Sequence, residues 1–549
     1  MSTEMKNQSG QTFRKCQHGD ETCMGYSELK DNCWNFSIVS INPNLDVWAN
    51  EYYAGLIQGQ LQGEDMLKAS RNNTWKNTYL CDPEKTFVKT LPPSDEVLDK
   101  AKRCLVSNLK FLLDFIMSHN EDKYATAFNR LLCRMCGIYD GATCERTGGR
   151  KRSFQTGNSL LKTMDIVDFF SSSLHYGDSE LTPLDVYFIN AQMDMFDVLS
   201  GSLEGSNRLY KADHCSAFVK RTKDDIYWTH NSWCGFLSQS HTISYAIRND
   251  EGTVDFITQN SYCPGQFGSN MDFGFNGHGI CFNETTHRYS HSRPKEKGIW
   301  LCWRAAAAEM FATSTDDFLD YLKIDNTGTY LNGYMVIDAN NNETSLIEMS
   351  YRRFVKFDST GTSVTVKEYA GNEERVVGID EYDNELITPE YILGINYPIS
   401  NAVAEDLQST DNRPMRRIQF KERIGTVSGM NTAKQLITYV GPEEPLSVYG
   451  RWDLGYGTTE YPRTIPDGAV DAKAFSVNRV REVLKDLQFK PNEYSQKTTF
   501  WMLYGTPVIN GSPFVWSKSQ WAEYHGDPEK NFVPDELSGA WNETKLFMD

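Results

Sequence analysis

The period of the hydrophobic pattern changes once along this chain, at Cys215, and that change restricts the fold more than any other feature. Before it, apolar residues recur at helical spacing over 48–70, 96–119, 123–142 and 184–201. In the second of these, Leu98, Ala101, Leu105, Leu109, Leu112 and Ile116 form one stripe. From Cys215 onward come short runs such as "CSAFVKR", "DIYWTHNSW", "HTISYAIR", "GTVDFITQ", "YMVIDAN" and "SVTVKEYA", separated by Gly, Asn and Asp. These read as strands between turns. "GIWLCWRAAAAEMFATSTDDFLDYLK" interrupts them with helical length. The expectation is an α+β protein in three stretches: an irregular lead-in over 1–46, a helical part over 47–214, and a sheet-rich part over 215–549.

The boundary itself carries chemistry. "HCSAFVKRTKDDIYWTHNSW" runs from His214 to Trp233 and reads as a hairpin. With Thr222 and Lys223 at its tip, Arg221 faces Asp224 and Cys215 faces His230. Opposed residues share a face, with Cβ atoms about 5 Å apart. A slip of one residue puts Asn231 opposite Cys215 instead. Cysteine attacks as thiolate, and a neighbouring imidazole or amine activates it. The plainer alternative is a buried structural cysteine beside a core histidine.

Composition removes several function classes. The formal net charge of −18 argues against nucleic acid or an anionic membrane as partner. No run supplies the roughly 18 apolar residues of a membrane span, and no signal peptide is visible at the N-terminus. The thirteen cysteines all lie between Cys16 and Cys302. In a chain this large, disulfides are optional for holding a core together. Asn-x-Ser/Thr sequons stand at Asn7, Asn35, Asn72, Asn283, Asn342, Asn510 and Asn542, about as many as chance gives. "CRMC" (Cys133, Cys136) has the spacing of half a zinc site but sits in a helical apolar pattern. Cys281, His287 and His291, with Cys263 as a distant fourth, offer metal ligands without a second close cysteine pair. No metal or cofactor is expected.

Beyond the hairpin, "ANEYYAGLIQGQLQGE", "LDVYFINAQMDMFDVLSG", "NSYCPGQFGSNMDFGFNGHGICFNETT", "GINYPIS", "RRIQFKERIGTVSGMNTAKQLITY" and "SPFVWSKSQW" follow in order. Together with Cys-Ser-Ala and His-Asn-Ser-Trp, this series resembles the phospholipase B-like family of N-terminal-nucleophile hydrolases across residues 47–549. The chain departs from the family pattern at Ser232 (threonine in the family), at Cys263, and in "RPMRR". There Arg416 is chosen over Arg413 and Arg417 by counting back from Phe420. The resemblance implies an αββα sandwich of two largely antiparallel sheets with a helical N-terminal region. It implies self-cleavage between His214 and Cys215, with Cys215 then the N-terminal nucleophile and its amine the base. By the same resemblance Asn396 donates to the oxyanion, Arg416 is the pocket arginine, and His230 and Asn231 line the cleft with Ser216 and Trp233. The two fragments are expected to stay associated. The implied substrate is an acyl ester or amide, with phospholipid deacylation the named activity and a lysosomal or secreted location. An amidase on N-acylated small molecules and a catalytically silent lipid- or partner-binding protein are the alternatives.

Overall fold

The structure is a computed structural model. It describes residues 3–6, 12–18, 22–80, 92–148, 163–200, 215–270, 272–287, 294–295, 297–371, 373–409, 414–441, 447–453, 466–489, 498–527 and 531–545. The chain begins with strands β1 (Thr3–Lys6), β2 (Thr12–His18), β3 (Cys23–Lys30) and β4 (Cys33–Ser40). Six helices follow: α1 (Val47–Leu80), α2 (Asp95–Ser118), α3 (Lys123–Ala142), α4 (Thr163–Phe170), α5 (Pro183–Asn190) and α6 (Gln192–Ser200). The sheet-rich part opens with β5 (Cys215–Arg221), β6 (Ile226–Gly235), β7 (His241–Arg248), β8 (Val254–Ser261), β9 (Phe273–Asn276) and β10 (Ile280–Thr286). Helices α7 (Leu301–Phe311) and α8 (Thr315–Lys323) precede β11 (Asn332–Asp338), β12 (Glu343–Met349), β13 (Arg353–Ser359), β14 (Val364–Ala370), β15 (Glu373–Val376) and β16 (Tyr391–Gly394). Then come α9 (Asn401–Leu407), α10 (Pro414–Arg423), α11 (Met430–Ile437), β17 (Asp467–Ala469), β18 (Asp471–Ser476), α12 (Val477–Phe489) and β19 (Thr498–Tyr504).

Among the described residues these strands make two main sheets. The larger has thirteen strands in the order β1-β2-β3-β4-β7-β8-β9-β10-β11-β12-β13-β14-β15. All its neighbours are antiparallel except β4 and β7, which run parallel with Asn35 opposite Thr242. In the smaller sheet β16, β5, β6, β18 and β19 lie side by side. Two aromatic stacks join the sheets face to face: Trp228 on Phe273 (5.6 Å) and Phe475 on Phe275 (5.7 Å). Helices α1 and α7 cover the outer face of the larger sheet, and α11 and α12 cover the smaller. Helix, sheet, sheet and helix therefore follow in four layers.

The helical layer is pinned in two ways. Gly55 and Gly59 of α1 meet Gly137 and Gly141 of α3 so closely that a Cβ on Gly55 would strike the Arg134 carbonyl. A Cβ on Gly137 would strike that of Tyr52. Glu51 of α1, fully buried, bridges Arg130 (2.8 Å) and Arg134 (2.6 Å) of α3, and Arg130 reaches on to Asp255 of β8 at 2.7 Å. These buried charges are paired, the condition under which burial is tolerated.

Four expectations change. The stretch expected to be an irregular lead-in forms strands, because β4 finds its partner β7 some 200 residues downstream, a pairing no local pattern reveals. The segment 184–201 is two helices, broken at Ala191. The hairpin turn spans Thr222–Asp225, closed by Thr222 N–H to the Asp225 carbonyl (2.8 Å) and Asp225 N–H to Thr222 Oγ1 (3.1 Å). The register consequently moves by two residues: Cys215 opposes Ser232, and His230 opposes Ala217. A shift of two preserves the face, so Cys215 and His230 still share a side. Among the described residues twelve cysteines are free thiols, with no disulfide formed. No described helix is long and apolar enough to cross a membrane.

Candidate active site

Cys215 is the first residue of β5, next to the edge strand β16 of the smaller sheet. His214 lies outside the described residues. The backbone of Cys215 is gripped at both ends. Its N–H donates to Asn396 Oδ1 at 3.2 Å, and its carbonyl accepts from Arg416 Nη1 at 2.6 Å. Asn396 follows β16 in the left-handed region (φ 64°), a conformation asparagine tolerates better than most residues. Its Nδ2 donates to the Thr286 carbonyl at the end of β10 (2.7 Å). Arg416 enters from α10 and is buried. It also donates to Asn396 Oδ1 (2.9 Å), Ser216 Oγ (3.4 Å) and the Ile395 carbonyl, and its guanidinium lies 5.1 Å from the Trp233 ring centre. The planar fork suits such convergent acceptors.

The other expected residues fall into two groups on opposite faces of the strands. Ser216 opposes Asn231 on the outer face. Asn231 Oδ1 accepts from Ser216 N–H (3.0 Å) and Trp233 Nε1 (2.8 Å), and its Nδ2 donates to the Ile437 and Val448 carbonyls, both at 2.8 Å. Asn231 is thus a clamp between the strand and α11. The inner face carries Cys215, His230 and Ser232. His230 Nδ1 lies 3.5 Å from Ser232 Oγ. Burial, then the Lys473 charge, drives the imidazole well below its ordinary range, against the opposing pull of the Glu284 backbone, so His230 is neutral. Burial, then the Glu284 and Asp272 carboxylates, pushes the Cys215 thiol well above its usual value. The Trp233 backbone N–H and the Lys473 ammonium work against that rise.

Two features escaped the sequence reading. One is Asp471 and Lys473 on β18: Lys473 Nζ donates to Ser232 Oγ and Asp471 Oδ1, each at 2.6 Å. The other is a buried acidic cluster on the helical side of the larger sheet. Burial pushes Glu284 up to about 7 and Glu309 up to about 8. Asp272 is raised well above the usual range, by burial first and then by Glu284 and Glu309. Asp272, Glu309, Tyr330 and Tyr334 line a narrow recess with room for about one water molecule. Thr286 joins the two regions: its carbonyl holds Asn396, and its hydroxyl lies within hydrogen-bond reach of both Glu284 Oε1 (3.2 Å) and Tyr330 OH (3.0 Å). Asp272 and Tyr330 share with Asn396 a positive φ (58° and 45°), and strained backbone of this kind gathers at functional sites.

His291 lies outside the described residues, and no described group of three His, Cys, Asp or Glu side chains fits a metal ion. Cys133 and Cys136 are buried within α3.

The family model described as Phospholipase B matches residues 23–532. The chain is similar to "Phospholipase B" of Crotalus adamanteus, 24% identical over 394 residues, covering 64% of each chain. It is also similar to "Phospholipase B-like 1" of Homo sapiens, 23% identical over 339 residues (59% of this chain and 54% of the relative). "Phospholipase B-like protein B" of Dictyostelium discoideum is 21% identical over 329 residues (58% and 52%). The matched regions span less than two thirds of these relatives' own lengths. With nine tenths of its length inside the match and the motifs in order around Cys215, the chain belongs to the phospholipase B family.

Proposed function

We propose that this chain is a self-cleaving N-terminal-nucleophile hydrolase of acyl ester or amide bonds, with lipid deacylation as its reaction. The observation that carries the reading is the grip on both backbone ends of Cys215: Asn396 on its nitrogen and Arg416 on its carbonyl. In the proposed cleavage Cys215 Sγ attacks the His214 carbonyl carbon. The bond to the Cys215 nitrogen breaks as the thiol proton passes to that nitrogen, leaving a thioester and a free amine. Water then hydrolyses the thioester, releasing the His214 carboxylate and restoring the thiol.

Burial supports the need for this activation. With its thiol raised and its histidine neighbour neutral, Cys215 of the intact chain lacks a conventional cysteine–imidazolium pair. A freed α-amine, ordinarily titrating at about 8, supplies the missing base. In turnover that amine takes the thiol proton as sulfur attacks the substrate carbonyl, and returns it to the leaving alcohol or amine. Water then releases the fatty acid. Asn396 is the proposed oxyanion partner through the second hydrogen of its Nδ2, the first being given to the Thr286 carbonyl while Oδ1 accepts the Cys215 N–H.

Intact-mass analysis and N-terminal sequencing of the purified chain test this directly. The expected result is a fragment beginning Cys-Ser-Ala, absent from Cys215→Ala. Persistence of full-length wild-type chain at acidic and neutral pH, with no thiol labelling at Cys215, refutes the mechanism. Release of fatty acid from phosphatidylcholine vesicles, against release from N-acyl amino acids, separates lipase from amidase.

A further inference from the structure

Lys473 sits in the middle of the smaller sheet, fully buried, opposite His230 in the ladder. Its ammonium is held by two acceptors, Ser232 Oγ and Asp471 Oδ1. Asp471 is also occupied: Oδ1 accepts Ser232 N–H at 2.9 Å and Oδ2 accepts the Ser240 hydroxyl at 2.6 Å. Stripping water from an ammonium and a carboxylate is costly, and apolar residues of similar size usually serve stability as well or better. The pair therefore calls for a reason beyond packing. Its position supplies one, because Ser232 is the direct cross-strand partner of Cys215. That relation sets their Cβ atoms about 5 Å apart on one face.

We propose that the line Asp471–Lys473–Ser232 positions a fixed positive charge and an oriented hydroxyl beside Cys215, stabilising its thiolate. The proposal rests on the reading of Cys215 as nucleophile. Asp471 fixes the ammonium, the ammonium donates to Ser232 Oγ, and the Ser232 O–H is directed across the strands toward the sulfur. The thiol proton goes to the Cys215 nitrogen during cleavage, or to the freed amine during turnover. Lys473 is a positioning residue, acting through Ser232 and through its charge. The other groups around the sulfur do not replace it. Glu284 and Asp272 oppose the thiolate, the buried Tyr330 phenol and the His230 imidazole are neutral, and Arg416 is committed to backbone carbonyls and Asn396. Among the described residues Lys473 is a side-chain cation whose charge favours the ionised sulfur.

The test is the pH profile of Cys215 alkylation by iodoacetamide in the full chain, both fragments retained, quantified on the Cys215 peptide. Lys473→Met and Ser232→Ala are expected to move the midpoint up by about one pH unit, which is about tenfold slower labelling below it. Ser232→Thr, which restores the hydroxyl, is expected to keep the wild-type profile. Profiles of Ser232→Ala and Lys473→Met that superimpose on wild type overturn the proposal. If Lys473→Met fails to fold, leaving Asp471 without its counter-ion, Ser232→Ala decides alone, since it removes one oxygen and leaves the ion pair. A wild-type chain in which Cys215 is never labelled and never becomes an N-terminus overturns the nucleophile reading as well. Normal processing with unchanged profiles in the variants overturns this inference alone.

Discussion

Asn396 offers a perturbation whose backbone and side-chain terms can be separated. Its amide accepts from Cys215 N–H and Arg416 Nη1 and donates to the Thr286 carbonyl, and its backbone is left-handed. Asn396→Gly removes the amide but accepts the backbone. Losing two neutral bonds at about 1 kcal/mol each and one to a guanidinium at about 1.5–3 kcal/mol gives a cost of about 3–5 kcal/mol. Asn396→Ala loses the same bonds and must also hold a Cβ in the left-handed region, at about 1–2 kcal/mol. Against that, alanine is less flexible than glycine in the unfolded chain, worth about 0.4–1 kcal/mol. Alanine should therefore fall below glycine by about 0.5–1 kcal/mol. Asn396→Asp keeps both acceptor roles but sets a carboxylate oxygen against the Thr286 carbonyl, about 1–3 kcal/mol. The expected order of melting temperature is wild type, Asp, Gly, Ala. It is best measured in a Cys215→Ala background so that every chain stays intact. A chain of this size spreads each kcal/mol over about 1–2 °C. With Cys215 restored, mass spectrometry should show cleavage abolished in the Gly and Ala variants. An alanine variant as stable as glycine refutes the conformational argument. A glycine variant cleaved at the wild-type rate refutes the role given to the amide.

The glycine seam gives a second prediction: Gly137→Ala, blocked by the Tyr52 backbone, should cost at least about 2 kcal/mol. Gly63→Ala has open space around it, but φ 76° and ψ 164° lie in a region essentially restricted to glycine, so it should cost about 1–3 kcal/mol through backbone strain alone, read in parallel melts. The buried carboxyls predict a dependence on pH. Glu309 titrates near 4.3 when unfolded and about 8 when folded, so its contribution is whole below about pH 4 and fades as pH rises to about 8. The melting temperature should therefore decline across that window less steeply in Glu309→Gln than in wild type; equal slopes refute it. Arg416→Lys keeps the charge but cannot span Cys215, Asn396 and Ile395 together. It should slow cleavage more than Arg417→Lys, whose parent arginine binds Asp383 and Glu385, as followed by mass over time.

What the sequence made legible depended on how local each determinant is. The β5 strand and the α3 helix begin and end where their patterns do, because side-chain period and flanking turn residues define them. The hairpin register did not follow, since Thr222 caps its own four-residue turn through its hydroxyl, a choice invisible to a two-residue turn rule. Ser216 and Asn231, both expected beside Cys215 in the cleft, meet across the outer face of the strands, where Asn231 takes the Ser216 N–H and holds α11. Lys473 was missed for a physical reason. In "DAKAFS" a lone lysine reads as the solvent-facing member of an edge strand, and only the sheet packed above it makes the position interior. One sequon could be judged only from the fold: Asn283 is buried, its amide spent on the Thr229 carbonyl, and in the folded chain it has no room for a glycan.

The parallel seam between β4 and β7 gives the proposed cut an unusual meaning. Strands before residue 41 form one flank of the larger sheet, and β7 to β15 form the other. A chain opened ahead of Cys215 would not become a head and a tail on a hinge. It would become two polypeptides woven into one fabric, with six opposed pairs from Asn35–Thr242 to Ser40–Ile247 as the stitching. Parting them would mean unravelling the sheet through its interior, so the scission would free an amine while leaving the body of the molecule mechanically whole.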